Sequence, residues 1–544
     1  MTRYADLGRT PLEQRTLNAV LQRALDEAPD AVAVRDPHRS MTYAELWAAA
    51  SRLAGGFRAA GVQRGDRVAM LLGNHIDNVL TWVALSAIGA IEVPVNSNYR
   101  REMLSYIVNN SKARLAVVDR GLLGQLQEVS DDLAHLESVI LHGPVDDGPA
   151  AFRGPRAPRL LEFTELAGHA PTDPAVIDPW DLVAIMYTSG TTGRSKGVLC
   201  PHAHAWTHAS GVGTTEPGDT RYVVLPQFHI AGQWGGVYRA FLAGATAYVA
   251  PGFHVSTFWE EIRAAGATTT QLVGTMAAFL AAQDPRPAEA DNPLREIHMI
   301  PVVPDVAAFA QRFGVSVASG FGNTEIGTVI AKTDAVRQPG LGVVRKGYVA
   351  RVVDENDVEV ATGEVGEFVV RADLPWTTMA GYLDEPEKTT EVLRNGWLHS
   401  GDGVYQDEQG HYYFADRVDD AIRRRGENVS SLEVELHVNA HPAVLESAVV
   451  AVPSEHLEDE IKAVVVLRKP AEVSEEELYL FLADRLPYFM VPRYVEICAE
   501  LPKTPTAKVR KSRLREEGVA DAWDSTAAGF LASRSGVTTP AQKS

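Results

Sequence analysis

In the N-terminal part of the chain, apolar positions recur first at helical spacing and then in short unbroken runs. Thr42 and Glu45 form a capping-box pattern that opens a helix reaching about Ala60. Gly65-Asp66 leads into a strand, Arg67 to Leu72, and a helix follows over about Ile76 to Ile88. Strand Ile91 to Val95, helical Arg101 to Asn109 and strand Leu115 to Val118 continue the series. Helices alternating with short apolar strands predict layered α/β structure with largely parallel sheets. Gly143 to Arg159 is rich in Gly, Pro and charge; the alternation resumes after it, so it reads as a surface loop. Gly347 to Arg371 is strand-rich. The C-terminal part alternates again: a helix from Ser431, strands Ser447 to Val452 and Lys462 to Leu467, and a helix from Glu475 to Arg485. From about Thr526 the residues are small and polar, the composition of a disordered tail.

At 544 residues the chain is too long for one core, and at least two domains are expected. Its 45% hydrophobic and 22% charged residues are those of a soluble globular protein, and no stretch is long and apolar enough to span a membrane. A net charge of −19 argues against a nucleic-acid partner, while an anionic cofactor can still bind a local basic site. Cys200 and Cys498 lie far apart without metal-ligand spacing, which fits a reducing, cytoplasmic setting. No basic segment followed by an apolar run opens the chain, so no signal peptide is expected.

The chemistry gathers at Tyr187 to Gly197, Tyr-Thr-Ser-Gly-Thr-Thr-Gly-Arg-Ser-Lys-Gly, fed by the apolar run Leu182 to Met186. Glycines let backbone approach a ligand closely. Backbone amides, hydroxyls and Lys196 can together surround phosphate oxygens. No Gly-Lys-Ser/Thr closes the loop, so it is not the Walker pattern. A plain Gly/Ser/Thr loop has the same composition; the order of residues is what distinguishes this one. It resembles the phosphate loop of the adenylate-forming superfamily, which includes acyl-CoA synthetases, amino-acid adenylation domains and luciferases. Ser195 replaces the proline usual there, which loosens the loop.

Further motifs follow in the family's order. Leu225-Pro226-Gln227-Phe228-His229-Ile230-Ala231-Gly232 resembles its Pro-x-Phe-His-x-x-Gly segment. The resemblance implies that His229 borders an acyl pocket, with Gly232, Gln233 and Gly320 suited to lining it. Amino-acid-activating relatives carry an aspartate here; none lies between Phe228 and Tyr238, which favours a simple carboxylic acid. Ser319-Gly320-Phe321-Gly322-Asn323-Thr324-Glu325 resembles the family's Tyr-Gly-x-Thr-Glu. By carry-over Glu325 holds Mg²⁺, for which a carboxylate is the preferred hard ligand. Thr324 contacts the α-phosphate, and Phe321 with Gly322 faces the adenine. Ser400-Gly401-Asp402 matches the motif whose aspartate binds the ribose, and Arg417 matches a second nucleotide contact. Asp419 falls at the family's hinge. Arg425-Gly426-Glu427-Asn428 resembles a loop that lines the tunnel for the phosphopantetheine arm, with Arg425 where relatives have glycine; Arg423, Arg424 and Arg425 together could bind CoA phosphates. Lys508 matches the adenylation lysine, with Ala507 in place of the glycine before it.

The chain is therefore similar to the acyl-CoA ligase branch. The implied architecture is a large N-terminal domain of layered α/β sheets with a β-rich subdomain, and a small mobile α+β C-terminal domain. The expected divisions are 1–416 for the AMP-binding domain, 417–419 for the hinge, 420–518 for the lid and 519–544 for a flexible tail. The implied cofactors are ATP/AMP, Mg²⁺ and coenzyme A, and the implied partner is a small carboxylic acid or its acyl-adenylate. Oligomeric state, including a homodimer, stays open. Two half-reactions are implied. A carboxylate, already ionised at neutral pH with a pKa of about 4, attacks the α-phosphorus of ATP, helped by Mg²⁺ at Glu325, by Lys508, and by the amides and hydroxyls of Thr188, Ser189, Gly190, Thr191, Thr192 and Gly193. The CoA thiol then attacks the adenylate's carbonyl.

One region departs from the family. His298-Met299-Ile300-Pro301-Val302-Val303-Pro304 stands where relatives place a Gly-Ala or Gly-Gly stretch against the adenine. Three alternatives to a complete ligase therefore remain: an adenylation-impaired enzyme that converts a preformed acyl-adenylate to the thioester, transfer to a carrier-protein thiol, and a non-catalytic acyl-adenylate binding protein.

Overall fold

The computed structural model describes residues 10–144, 152, 157–188, 195–211, 213–287, 289–303, 305–338, 340–417, 421–454, 458–502, 509, 511–533 and 536–539. The side chains of residues 415–417, 421, 428, 432 and 512 are outside that description. The chain divides into two compact units. The larger takes Met1–Ser97, Ser105–Tyr187 and Gly197–Asp416; the smaller takes Asn98–Leu104, Thr188–Lys196 and Arg417–Ser544.

Two large sheets carry the larger unit. The first has eight strands, and its middle is Leu182–Thr188, Ile91–Pro94, Arg67–Leu71, Leu115–Asp119 and Ser138–His142, joined in parallel. The alternation read from sequence is real here. Thr42 and Glu45 do form a capping box on helix Tyr43–Ala59, each side chain bonding the other's backbone N–H. Helix Ile76–Ala87 is buried at every position except Asp77, with apolar residues around most of its circumference. The second sheet has nine strands; its middle, Thr246–Val249, Thr220–Val223, Thr269–Val273, Glu296–Ile300 and Ser316–Asn323, is also parallel. Trp82, Trp206, Trp234 and Phe241 fill the main core. A four-stranded sheet follows, Tyr348–Val353, Gly366–Ala372, Leu398–Gln406 and Tyr412–Arg417 in order, the first three antiparallel.

The smaller unit holds a hairpin, Ala421–Arg424 with Glu427–Ser430, and a four-stranded sheet. That sheet pairs Val444–Pro453 with Asp459–Leu467, then adds Tyr494–Cys498 and Trp523–Asp524. Helix Glu475–Ala483 opens on a second capping box, Ser474 with Glu477. The expectation of a flexible tail over 519–544 fails for its described residues. Trp523, Phe530 and Tyr479 form an aromatic triangle with centroids 5.6–5.8 Å apart, and Leu531–Ser533 pairs with Gly536–Thr538 as a hairpin. Two large rings anchor a segment whose average composition looks unstructured, because burial depends on individual anchors and not on the mean.

Candidate active site

The chemistry of the larger unit centres on the turn after strand Ser316–Asn323. Gly322 must be glycine, since a Cβ there would lie 1.8 Å from the Gly327 carbonyl oxygen. The strand changes register at this point, and Asn323 then folds the chain back on itself. Its Oδ1 accepts the N–H of Glu325 (3.1 Å) and of Ile326 (3.0 Å), an Asx turn that aims Glu325. The Glu325 carbonyl accepts the Met379 N–H at 2.9 Å, and its Oε1 accepts the Tyr382 hydroxyl at 3.0 Å. Burial, followed by the Glu325 charge, pushes the Tyr382 pKa far up, so the phenol keeps its proton and donates. Wholly buried His204 faces the Thr324 carbonyl with Nε2 (2.9 Å) and the Thr377 carbonyl with Nδ1 (3.1 Å).

Asp402 belongs to the same network. Asn323 Nδ2 donates to the Ser400 carbonyl at 3.5 Å, and Ser400 Oγ accepts the Asp402 N–H at 3.1 Å. Glu367 fixes this segment from the next strand, taking the Gly401 N–H on Oε1 (3.1 Å) and facing His399 Nδ1 with Oε2 (2.8 Å). Gly401 has φ of +72°, a left-handed turn that glycine takes without strain. Asp402 itself is buried. Phe321 rests edge-on against Phe368, with centroids 5.7 Å apart, and is half-buried. Glu325, Thr324, Phe321, Gly322 and Asp402 are thus brought together.

His229 caps the short helix Ile230–Gly232, which runs into a π-helical stretch, Gln233–Tyr238. Such π segments often mark functional sites. Gly232 is required, because a Cβ would lie 2.1 Å from the Pro226 carbonyl oxygen. This stretch joins the Glu325 turn through His204, whose ring packs edge-on against Trp234 at 5.6 Å. Gly320 sits beside buried His298, whose Nε2 would be 3.5 Å from a Cβ placed there. Gln233 turns inward: it is wholly buried, and its Nε2 donates to Glu92 Oε2 at 2.9 Å. Glu92 is equally buried, and desolvation pushes its pKa well above the usual carboxylate range, which favours the protonated, uncharged form.

Several residues named from sequence fall elsewhere. Ser189, Gly190, Thr191, Thr192, Gly193, Asp419 and Lys508 lie outside the described residues, as does the Arg417 side chain. Thr188 ends strand Leu182–Thr188, and Lys196 begins strand Lys196–Pro201. In the smaller unit the three arginines have divided. Arg424 is buried against Glu460, Nε to Oε2 at 2.7 Å, and is not available to an anion. Arg425 Nη1 donates to the Ala532 carbonyl at 3.1 Å, and the Gly426 N–H meets both Glu458 oxygens at 3.0 and 3.2 Å. Sequence reading missed Asn323, His204, Tyr382 and Glu92 as parts of the network. Asn323 lay inside the Ser319–Glu325 motif and Glu92 stood out as a carboxylate inside the apolar run Ile91 to Val95, while His204 carried no local signal.

The AMP-binding enzyme domain matches residues 21–383, and the AMP-binding enzyme C-terminal domain matches 433–508. The chain belongs to the AMP-binding enzyme family. Among the relatives of this AMP-binding enzyme is a crotonobetaine/carnitine–CoA ligase of Citrobacter koseri, 33% identical, covering 88% of this chain and 93% of the relative. The same ligase of Escherichia coli is 32% identical, covering 87% and 93%. Two solved structures share the fold. The o-succinylbenzoate CoA synthetase of Bacillus subtilis matches with a TM-score of 0.80 at 24% identity, covering 93% of this chain and 99% of that one. The amide bond synthetase of Marinactinospora thermotolerans matches with a TM-score of 0.78 at 26% identity, covering 92% and 99%.

Proposed function

We propose that this AMP-binding enzyme is an acyl-CoA ligase that activates a carboxylic acid as its acyl-adenylate and passes the acyl group to the CoA thiol. The observation that carries this reading is the likeness to CoA ligases over 93% of their length, on a chain that retains Glu325 and Asp402 in one hydrogen-bonded network. Glu325 fits a Mg²⁺ ligand: a half-buried carboxylate with one oxygen steadied by Tyr382. Bound Mg²⁺ would neutralise charge on the triphosphate. Asp402 takes the ribose hydroxyls, Phe321 and Gly322 face the adenine, and Thr324 takes the α-phosphate. Lys508 and the loop of Ser189 to Gly193 supply donors for adenylation, and His229 borders the acyl group. The hinge at Asp419 lets the 420–518 domain serve each half-reaction in turn. Two free cysteines, Cys200 and Cys498, support a reducing, cytoplasmic setting.

The acid itself is expected to lack a cationic tail. The carboxyl that Gln233 meets, Glu92, is fully buried, and desolvation favours its uncharged form, which suits no quaternary ammonium group. A panel of aromatic, aliphatic and betaine acids, assayed for AMP release and for CoA thioester by mass spectrometry, tests the reading. Thioester from one or more acids supports it; AMP without thioester in the presence of CoA sinks it. The stretch Ile300 to Val303 favours a second reading, weak adenylation with an intact thioester step. ATP–pyrophosphate exchange, compared with thioester formation from synthetic acyl-adenylate, separates the two.

A further inference from the structure

The strand Leu531–Ser533 meets a strained turn. Arg425 has φ of +56°, the left-handed region that a side-chain-bearing residue takes only at an energetic cost. Such a conformation persists only where the surroundings over-determine it. Here one of those surroundings comes from beyond Lys508. Arg425 Nη1 donates to the carbonyl of Ala532, on the C-terminal hairpin, and the guanidinium lies over the Tyr488 ring at 5.3 Å. The hairpin is itself well seated. Phe530, just before it, is buried in the triangle with Trp523 and Tyr479, and Asp524 forms a two-point ion pair with Arg493 at 2.9 and 3.1 Å. The Ala532 amide and the Ser525 hydroxyl both face the Tyr479 hydroxyl. On the other side of the turn, Glu458 grips the Gly426 N–H. A side chain where the backbone prefers glycine, and a tail that holds that side chain, are two halves of one device.

We propose that the paired strands Leu531–Ser533 and Gly536–Thr538 are a clasp that holds the Arg425–Gly426 turn in its left-handed form and so positions it for transfer of the acyl group to CoA. The proposal rests on the acyl-CoA ligase reading given above and adds a positioning element to it. Arg425 acts here through the turn it belongs to. A glycine at position 425 would take the same φ without help, so it should make the clasp dispensable.

The test compares the full chain, a chain ending at Phe530, Arg425→Gly, and the two changes combined. Ending at Phe530 keeps the aromatic triangle and removes the carbonyl that holds the guanidinium. ATP–pyrophosphate exchange should stay within about twofold in the shortened chain. Its kcat/KM for CoA, measured with the adenylate of an acid from the panel, should fall about tenfold. In the Arg425→Gly background the same shortening should change kcat/KM for CoA by less than about twofold, the non-additivity expected of two groups that act as one. Limited trypsinolysis read by mass spectrometry gives an arm independent of any substrate: cleavage after Arg425 should run about tenfold faster in the shortened chain. Equal cleavage rates, or equal loss of CoA turnover in both backgrounds, overturns the clasp. Absence of thioester from the full chain would count against the ligase reading instead, with the protease arm still deciding the clasp.

Discussion

The Tyr382 hydroxyl donates to Glu325 Oε1 at 3.0 Å across a separation of 57 residues. This bond fixes one oxygen of the carboxylate assigned to Mg²⁺ and leaves the other to a ligand. Outer partners of this kind typically tune metal affinity by 10–100-fold. Tyr382→Phe is therefore expected to raise the Mg²⁺ concentration needed for half-maximal pyrophosphate exchange about tenfold, with little change at saturating Mg²⁺. A magnesium titration of wild type and variant reads this directly. Superimposable titrations would detach Tyr382 from the metal site.

Asn323 is the link between the two halves of the network, capping the Glu325 turn and reaching the Ser400 carbonyl. Asn323→Ala removes three bonds at once and leaves two backbone amides without an acceptor. The expected loss is about 1–2 kcal/mol of stability, seen as a lower denaturation midpoint. ATP affinity should weaken with it, because Asp402 and Glu325 lose their common strut. Asn323→Asp keeps the acceptor oxygen for the two amides and loses only the Ser400 bond, so it should retain most of the stability.

The distances along the chain explain what could be read from sequence. The helix-strand alternation of residues 42–118 and both capping boxes were legible, because each rests on neighbours a few positions apart. Glu325, Asp402 and Phe321 were legible as short motifs. Their supports were not: Tyr382 lies 57 residues from Glu325, His204 lies 120 from Thr324, and Gln233 lies 141 from Glu92. Those pairings are set by how distant helices, turns and strands pack together, and no local spacing encodes that. Gln233 illustrates the cost. It looked suited to lining a pocket, yet its amide is drawn inward by a buried acid on strand Ile91–Pro94. The C-terminal segment was misjudged for a different reason, since two rings among small residues were enough to anchor it.

Glu92 and Gln233 give a prediction about isosteres. If Glu92 is uncharged, Glu92→Gln preserves shape and a hydrogen-bonding oxygen, and should shift stability by less than about 1 kcal/mol. Glu92→Ala leaves the Gln233 amide buried without an acceptor and opens a void, which should cost about 2–4 kcal/mol. Chemical denaturation of the three proteins at neutral pH ranks them. A large penalty for the glutamine variant would mean that Glu92 is ionised and works as a charge.

A second polar cluster, at the carboxyl ends of strands Leu115–Asp119 and Ser138–His142, sets the alkaline limit of the fold. His142 lies between two carboxylates, Nδ1 to Asp119 Oδ1 at 2.7 Å and Nε2 to Asp77 Oδ2 at 2.8 Å, and stacks on His75 at 4.5 Å. Burial opposes its charge, but the bonds and charges of Asp119 and Asp77 prevail and raise its pKa to about 9. The shift is upward from an ordinary value near 6.5, so the protonated imidazole stabilises the folded state fully below that value. The contribution falls as pH rises through about 9, when the proton leaves. It amounts to about 2–3 kcal/mol. Asp77 works in the opposite sense. His142 and Arg39 hold its pKa down at about 2 against burial, so its contribution is present above about pH 4 and fades as pH drops toward 2. The same cluster brings His75, Asp77 and His142 within ligand distance of a metal ion. His75 Nδ1, however, accepts the Asn78 N–H at 3.1 Å, which leaves the proton on Nε2, the atom that faces Asp119. Hydrogen bonds and ion pairs account for each of these contacts. Stability measured from pH 6 to pH 10 should show a wild-type advantage over His142→Gln that is largest below pH 7 and shrinks through pH 9, with no response to a chelator. An advantage that stays constant across that range, or one that a chelator abolishes, would contradict the ion-pair account.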